Sequence, residues 1–245
     1  MAVRMRTYYD KAYKGKKKDF LNLLKERIDS GRRTFVVTAN PEIFMLGRKL
    51  PEMNEALSDE ETLIVPDGIG VIRGGKQLGY EFEERIPGVE ICEELFAYAD
   101  QKGRSLYLFG AEKSVLEDLA ALVHREYPNA VLAGCTDGYV QDKEKVFREI
   151  VEMQPDIVLV ALGAPKQELL IHRYYRRGEK GVFIGVGGSF DVLSGRKKRA
   201  PSFFIRHNLE WLYRIASEPK RLKRFWDSNI KFLFELRKEK HGNRL

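Results

Sequence analysis

From Thr34 onward, short apolar runs alternate with longer amphipathic stretches. The apolar runs are TFVVTAN, ETLIVPD, SLYLFGA, AVLAGCT, DIVLVALG and GVFIGVGG. They are rich in Val, Ile and Leu and end in Gly, Asp or Asn, which is how buried parallel strands read. Between them the apolar period lengthens. In EKSVLEDLAALVHREYP, Val115, Leu116, Leu119 and Leu122 to Val123 recur at helical spacing, and KEKVFREIVEMQP repeats this through Val146, Ile150 and Met153. Strand, helix and strand joined by short links predict an α/β fold: a Rossmann-like parallel sheet flanked by helices. Ligands of such sheets bind beyond the carboxyl ends of the strands. Chemistry is therefore expected at TAN, PDGIG, FGAEK, CTDGYV, LGAPKQE and GVGGSFD.

After Gly195 no strand-like run remains. The segment reads as two or three helices with a break at Pro219, so the chain divides into an α/β domain over 1–195 and a basic helical C-terminal appendage over 196–245. Charge sharpens that division. The chain carries +7 overall, with 43 Lys+Arg against 36 Asp+Glu. From Arg196 to the end there are 15 basic and 5 acidic residues, which leaves 28 and 31 for the rest. An excess confined to the last fifth points to a polyanionic partner, nucleic acid or anionic lipid, with a merely solvated basic tail as the alternative.

The remaining composition excludes several classes. No run of about eighteen apolar residues is present, so no helix is expected to span a membrane. The basic opening MAVRMRTYYDKAYKGKKKDF has no apolar stretch after it and does not read as a secretory signal. Cys92 and Cys135 give neither a disulfide framework nor metal-ligand spacing, and a cytoplasmic setting is expected. The GxxxxGK[ST] phosphate loop is missing, as is HExxH. The four histidines are dispersed, and no Asp-x-Asp pair closes a strand. Neither a metal nor a cofactor is expected. The glycines of SLYLFGAEKS and GVGGSFD do not complete a dinucleotide fingerprint, which leaves an epimerase with bound nicotinamide as a weak reading.

Four loops carry candidate groups. Asp67, in Pro-Asp-Gly at a strand end, is placed either as a general base or as a turn or helix-capping residue. Thr38 and Asn40 end the first apolar run; they can bind sugar hydroxyls, or Asn40 can cap the helix that Pro41 begins. Gln167 and Glu168 open the helix after LGAPK, where free N–H groups favour a diphosphate and Lys166 adds charge; the alternative is an ordinary turn with Glu placed for the helix dipole. Phe190 and Asp191 follow Gly185, Gly187 and Gly188, an aromatic ring for a base and a carboxylate for ribose or base N–H groups. Gly163 lets a ligand lie against the backbone.

The order TANPE, PDGIG, RIPGVE, FGA, DGY, LGAPKQE, GVGGSFD and KRAP, from about Thr34 to Trp226, resembles the WecG/TagA/CpsF glycosyltransferases, and most of all their wall-teichoic-acid branch. The resemblance implies inverting, metal-independent transfer of N-acetylmannosamine from a UDP-sugar donor to the 4-hydroxyl of N-acetylglucosamine on undecaprenyl diphosphate. It implies Asp67 as the base, with Thr38, Asn40 and Gln167 lining the same pocket. Arg85 is placed for a phosphate or sugar carboxamide, Tyr139, Phe190 and Asp191 for the uridine end, and Gly110, Gly163 and Gly187 for close approach of substrate. Arg214, Arg221 or Arg224 of the appendage is expected to reach the diphosphate. It also implies a peripheral protein on the inner face of a bacterial membrane, with an anionic lipid surface rather than nucleic acid as partner, and a homo-oligomer as a further possibility. A binding protein without catalysis, using the basic tail on membrane or nucleic acid, is the competing expectation.

Overall fold

The computed structural model describes residues 4–207, 209–217 and 221–242. Along the chain come α1 (Met5–Lys11), α2 (Lys17–Asp29), β1 (Thr34–Ala39), α3 (Pro41–Lys49), α4 (Pro51–Ser58), β2 (Thr62–Pro66), α5 (Ile69–Gln77), α6 (Gly88–Lys102) and β3 (Ser105–Gly110). Then follow α7 (Lys113–Glu126), β4 (Val131–Thr136), α8 (Lys143–Met153), β5 (Ile157–Ala161), α9 (Lys166–Tyr174), β6 (Val182–Gly185), α10 (Ser189–Leu193), α11 (Ser202–Arg206), α12 (Glu210–Ser217) and α13 (Arg221–Gly242). The six apolar runs are the six strands, paired in parallel in the order β2-β1-β6-β5-β3-β4. The expected break at Pro219 lies outside the described residues.

Alternate residues of each strand feed opposite faces, as the two-residue strand period requires. Phe35, Val37, Phe109, Val160 and Phe183 join one core with side chains of α1, α3, α4, α8, α9 and α13. Val36, Leu108, Leu159 and Ile184 join the other with α2, α6, α7 and Phe190 of α10. This is the three-layer arrangement expected from the alternation of elements. AVLAGCT differs from the other runs. It forms the edge strand β4, where Val131 is half exposed and Cys135 is exposed, because among the described residues only β3 pairs with it.

Helix α1 was hidden in the basic opening. Met5, Tyr8, Tyr9 and Ala12 recur at i, i+3, i+4 and i+7 and are all buried. Helix α13 closes the same face, with Phe232 and Leu236 at 1% and 0% exposure. Arg48 of α3 pairs with Glu235 at 2.8 Å and Glu239 at 3.0 Å. Glu239 also accepts the Met5 and Arg6 backbone N–H groups at the start of α1, the orphan donors of any helix N-terminus. Among the described residues, no helix is long and apolar enough to cross a membrane.

Candidate active site

Because all strands run parallel, their carboxyl ends share one edge, and the helices that follow begin there with unpaired N–H groups. At the β2-β1-β6 side, the Asp67 and Gly68 N–H groups both donate to Ala39 O, at 2.9 and 3.1 Å. This turn carries the Asp67 side chain toward the start of α6, where Oδ1 accepts the Gly88 N–H at 3.2 Å. Asp67 thus lies between the starts of α5 and α6, a position that favours an anion. The glycines of PDGIG are required by proximity. A side chain at Gly70 would meet the Pro41 ring at 2.6 Å, so the starts of α3 and α5 lie against each other.

Asn40 caps α3, its Oδ1 accepting the Ile43 N–H at 3.1 Å, and it packs against Gly68. The cap leaves its amide N–H groups as donors beside Asp67's loop. Thr38 is buried, and its hydroxyl donates to Gly185 O at 2.8 Å. Its methyl and the Ser189 hydroxyl lie 3.4 Å from where a Gly88 side chain would begin. Thr38, Asn40, Asp67, Gly88 and Ser189 therefore form one group.

The β5-β3-β4 side forms a second wall. Gly138 N–H donates to Ala111 O at 2.8 Å, and Gly138 packs on Leu162, so the DGY, FGA and LGA loops meet. Tyr139 stands on this wall with 74% of its surface exposed, its N–H held by Asp137 Oδ1 at 2.8 Å. Gly110 and Gly163 both have positive φ, +122° and +74°.

Gln167 joins the two walls. It is 3% exposed, and its Oε1 accepts N–H groups from Gly163 after β5 and from Gly187 after β6, each at 3.1 Å. Its Nε2 donates to Glu168 Oε1 at 2.7 Å. Glu168 is fully buried, and burial pushes its carboxyl up to about 7, with the Gln167 hydrogen bond opposing and the charge of Glu42 adding to the rise. The sequence motif placed Glu168 only in a helix's first turn. Its neighbourhood comes from α9 packing against β1 and β6, which no local pattern shows.

Three expected contacts have other surroundings. Phe190 is enclosed at 0% exposure in the second core cluster, so its ring packs among aliphatic side chains and offers no open face for stacking. Arg85 binds Glu210 of α12 at 3.0 Å, a partner visible only once the helices after Gly195 fold back. Asp191 holds Lys197 at 3.2 Å. Arg214, Arg221 and Arg224 belong to α12 and α13, but their side chains are outside the described residues. Asn229 of α13 reaches the same edge, its Oδ1 3.6 Å from where a Gly70 side chain would begin.

The model of the glycosyl transferase WecG/TagA/CpsF family matches residues 11–245. Named relatives are N-acetylglucosaminyldiphosphoundecaprenol N-acetyl-β-D-mannosaminyltransferases. That of Bacillus spizizenii strain W23 is 43% identical over 197 residues, 80% of this chain and 76% of the relative. That of Bacillus subtilis strain 168 is 42% identical over 219 residues, covering 89% and 85%. A Staphylococcus aureus strain MW2 protein of the same name is 35% identical over 212 residues, covering 86% and 82%. With a family match over nearly the whole chain and helix starts gathered at one sheet edge around Asp67, this protein belongs to the WecG/TagA/CpsF glycosyltransferase family.

Proposed function

We propose that this protein transfers N-acetylmannosamine from UDP-N-acetylmannosamine to the 4-hydroxyl of N-acetylglucosamine on undecaprenyl diphosphate, with inversion at the anomeric carbon. The names of its relatives supply the transferred sugar and the acceptor. The observation that carries the chemistry is Asp67, held at two helix starts beside Thr38 and Asn40. Its carboxylate takes the proton of the acceptor hydroxyl as that oxygen attacks the anomeric carbon. The bond from that carbon to the diphosphate breaks, and UDP leaves with the electron pair. Backbone N–H groups at the helix starts stabilise the departing charge.

The reaction is read as metal-independent. The two carboxylates of the expected site, Asp67 and Asp191, are engaged by the Gly88 N–H and by the Lys197 ammonium. The protein is read as peripheral on the inner membrane face, where its acceptor lies. Supporting this, Trp226, Ile230, Leu233 and Phe234 of the basic α13 are exposed. The decisive experiment measures UDP release from a panel of UDP-sugars with a soluble lipid-linked N-acetylglucosamine diphosphate acceptor, with and without chelator. Disaccharide product from UDP-N-acetylmannosamine supports the reading. UDP release without a glycosylated acceptor, or activity only on added magnesium or manganese, overturns the corresponding part.

A further inference from the structure

Gln167 uses its side chain in one orientation. Two backbone N–H groups, of Gly163 and Gly187, point at one of its amide atoms, which must therefore be the oxygen. The amide nitrogen then faces Glu168 Oε1 at 2.7 Å. Rotating the amide would lose both backbone bonds and set N–H groups against N–H groups. Glu168 thus supplies the acceptor that makes the observed orientation whole. Its other oxygen, Oε2, is buried and has no hydrogen-bond partner among the described residues.

The two glycines held this way matter for geometry. Gly163 and Gly187 have φ of +74° and +50°, and a side chain at either would meet nothing within 4 Å. Each is a backbone turn facing open space at the sheet's carboxyl edge, one on each wall. A ligand lying across both would be positioned by backbone whose only side-chain brace in common is Gln167 among the described residues.

We propose that Glu168 is a positioning residue: acting through Gln167, it fixes the Gly163 and Gly187 turns and so sets the spacing of the two walls between which this reading places the donor sugar. The inference rests on the glycosyltransferase reading above. Burial favours the neutral acid, in which Oε2 carries the proton and Oε1 remains an acceptor for Gln167. The charge of Glu42, in the first turn of α3, also favours the neutral form. Ionisation makes Oε1 a stronger acceptor for Gln167 and sets a buried charge beside it, a change that reaches both turns through the one amide.

The test compares full-length wild type, Glu168→Gln and Glu168→Leu. The first readout is independent of activity: backbone amide resonances of Gly163 and Gly187 followed across neutral pH. In wild type both move with one shared midpoint; in E168Q neither does. The second readout is steady-state kinetics. E168L, which removes the acceptor for Gln167, loses up to about 10²-fold in kcat/KM for the UDP-sugar, the scale of a misplaced reacting group, with acceptor KM unchanged. E168Q restores a carbonyl to Gln167 and recovers most of that loss. Glycine resonances that titrate with separate midpoints in wild type overturn the proposal, as does E168L with wild-type donor kinetics or E168Q as impaired as E168L. If E168L fails to fold, the resonances and E168Q kinetics still decide. If wild type transfers no sugar, the functional reading fails while the resonances still judge the brace.

Discussion

Arg85 and Glu210 form an ion pair at 3.0 Å that ties the loop ahead of α6 to the first turn of α12. Both side chains are largely buried, 15% and 8% exposed, so the pair is shielded from solvent screening. Breaking a buried pair by removing one partner costs about 3–5 kcal/mol, because the other charge is stranded. The same arginine is a candidate for a donor phosphate, and charge exchange separates the two roles. Arg85→Ala should lower both melting temperature and transfer. The exchanged pair, Arg85→Glu with Glu210→Arg, should recover melting temperature but not turnover. Recovery of both, read by thermal denaturation and the transfer assay, would reduce Arg85 to a tether.

Asp67→Asn should fold and lose about 10²- to 10⁴-fold in turnover, the usual contribution of a general base. The amide oxygen of Asn can still accept the Gly88 N–H that Asp67 Oδ1 accepts at 3.2 Å, so the start of α6 keeps its partner. Melting temperature and turnover should therefore separate. Turnover near wild type with an unchanged melting temperature would leave Asp67 with only its capping role.

The six strands were legible because strands buried on both faces need continuous apolar runs, and each run stops at a residue suited to a turn. The loops of the site were legible for the same reason: the sheet's parallel order delivers every strand end to one edge. Other features depend on packing between distant elements. Nothing near Glu168 signals full burial, since a glutamate in a first helical turn is commonplace. The Arg85–Glu210 pair joins residues 125 positions apart, from different layers. Helix α1 did carry a signal, the spacing of Met5, Tyr8, Tyr9 and Ala12, but the surrounding lysines and arginines dilute its apolar pattern. The capping reading of Asn40 was legible too, from Pro41 at the first helical position, and its Oδ1 accepts the Ile43 N–H.

Glu168 should also leave a mark on stability. Its carboxyl is raised from 4.5 to about 7 in the folded protein, chiefly by burial. The folded state therefore holds this proton more tightly than the unfolded chain. The resulting stability is complete below about pH 4.5 and is lost as pH rises through about 7, a change on the order of 3 kcal/mol. Glu168→Gln removes the titration. Relative to wild type, E168Q should gain melting temperature steadily between those pH values and then hold a constant advantage. A pH-independent difference between the two proteins would mean that Glu168 does not titrate in this window.

The C-terminal helix should show two faces with separable consequences. Asn229, Phe232, Glu235, Leu236 and Glu239 recur at helical spacing and turn toward the body of the protein, where Phe232 and Leu236 are buried beside Tyr9 and Gly74. Leu222, Trp226, Ile230, Leu233 and Phe234 begin along the flank of that inward face and continue away from it, and all are exposed, as are Lys231, Arg237 and Lys238. An apolar stripe flanked by basic residues suits the headgroup zone of an anionic bilayer, where each basic residue contributes about 1 kcal/mol. Truncation after Gly195 would strip both faces at once and uncover Tyr9 and Phe44, so the shortened chain should lose stability. Point changes keep the faces apart. Leu236→Ala should cost about 2–5 kcal/mol and speed amide hydrogen exchange in α1 and α13. Trp226→Ser combined with Leu233→Ser should leave melting temperature close to wild type, yet weaken sedimentation with anionic vesicles and slow transfer to a membrane-embedded acceptor while sparing a soluble one. Arg221→Glu with Arg224→Glu should weaken sedimentation with anionic vesicles and lose that effect at high salt. If the Trp226 and Leu233 variant sediments like wild type, the outer face of α13 does not meet the membrane.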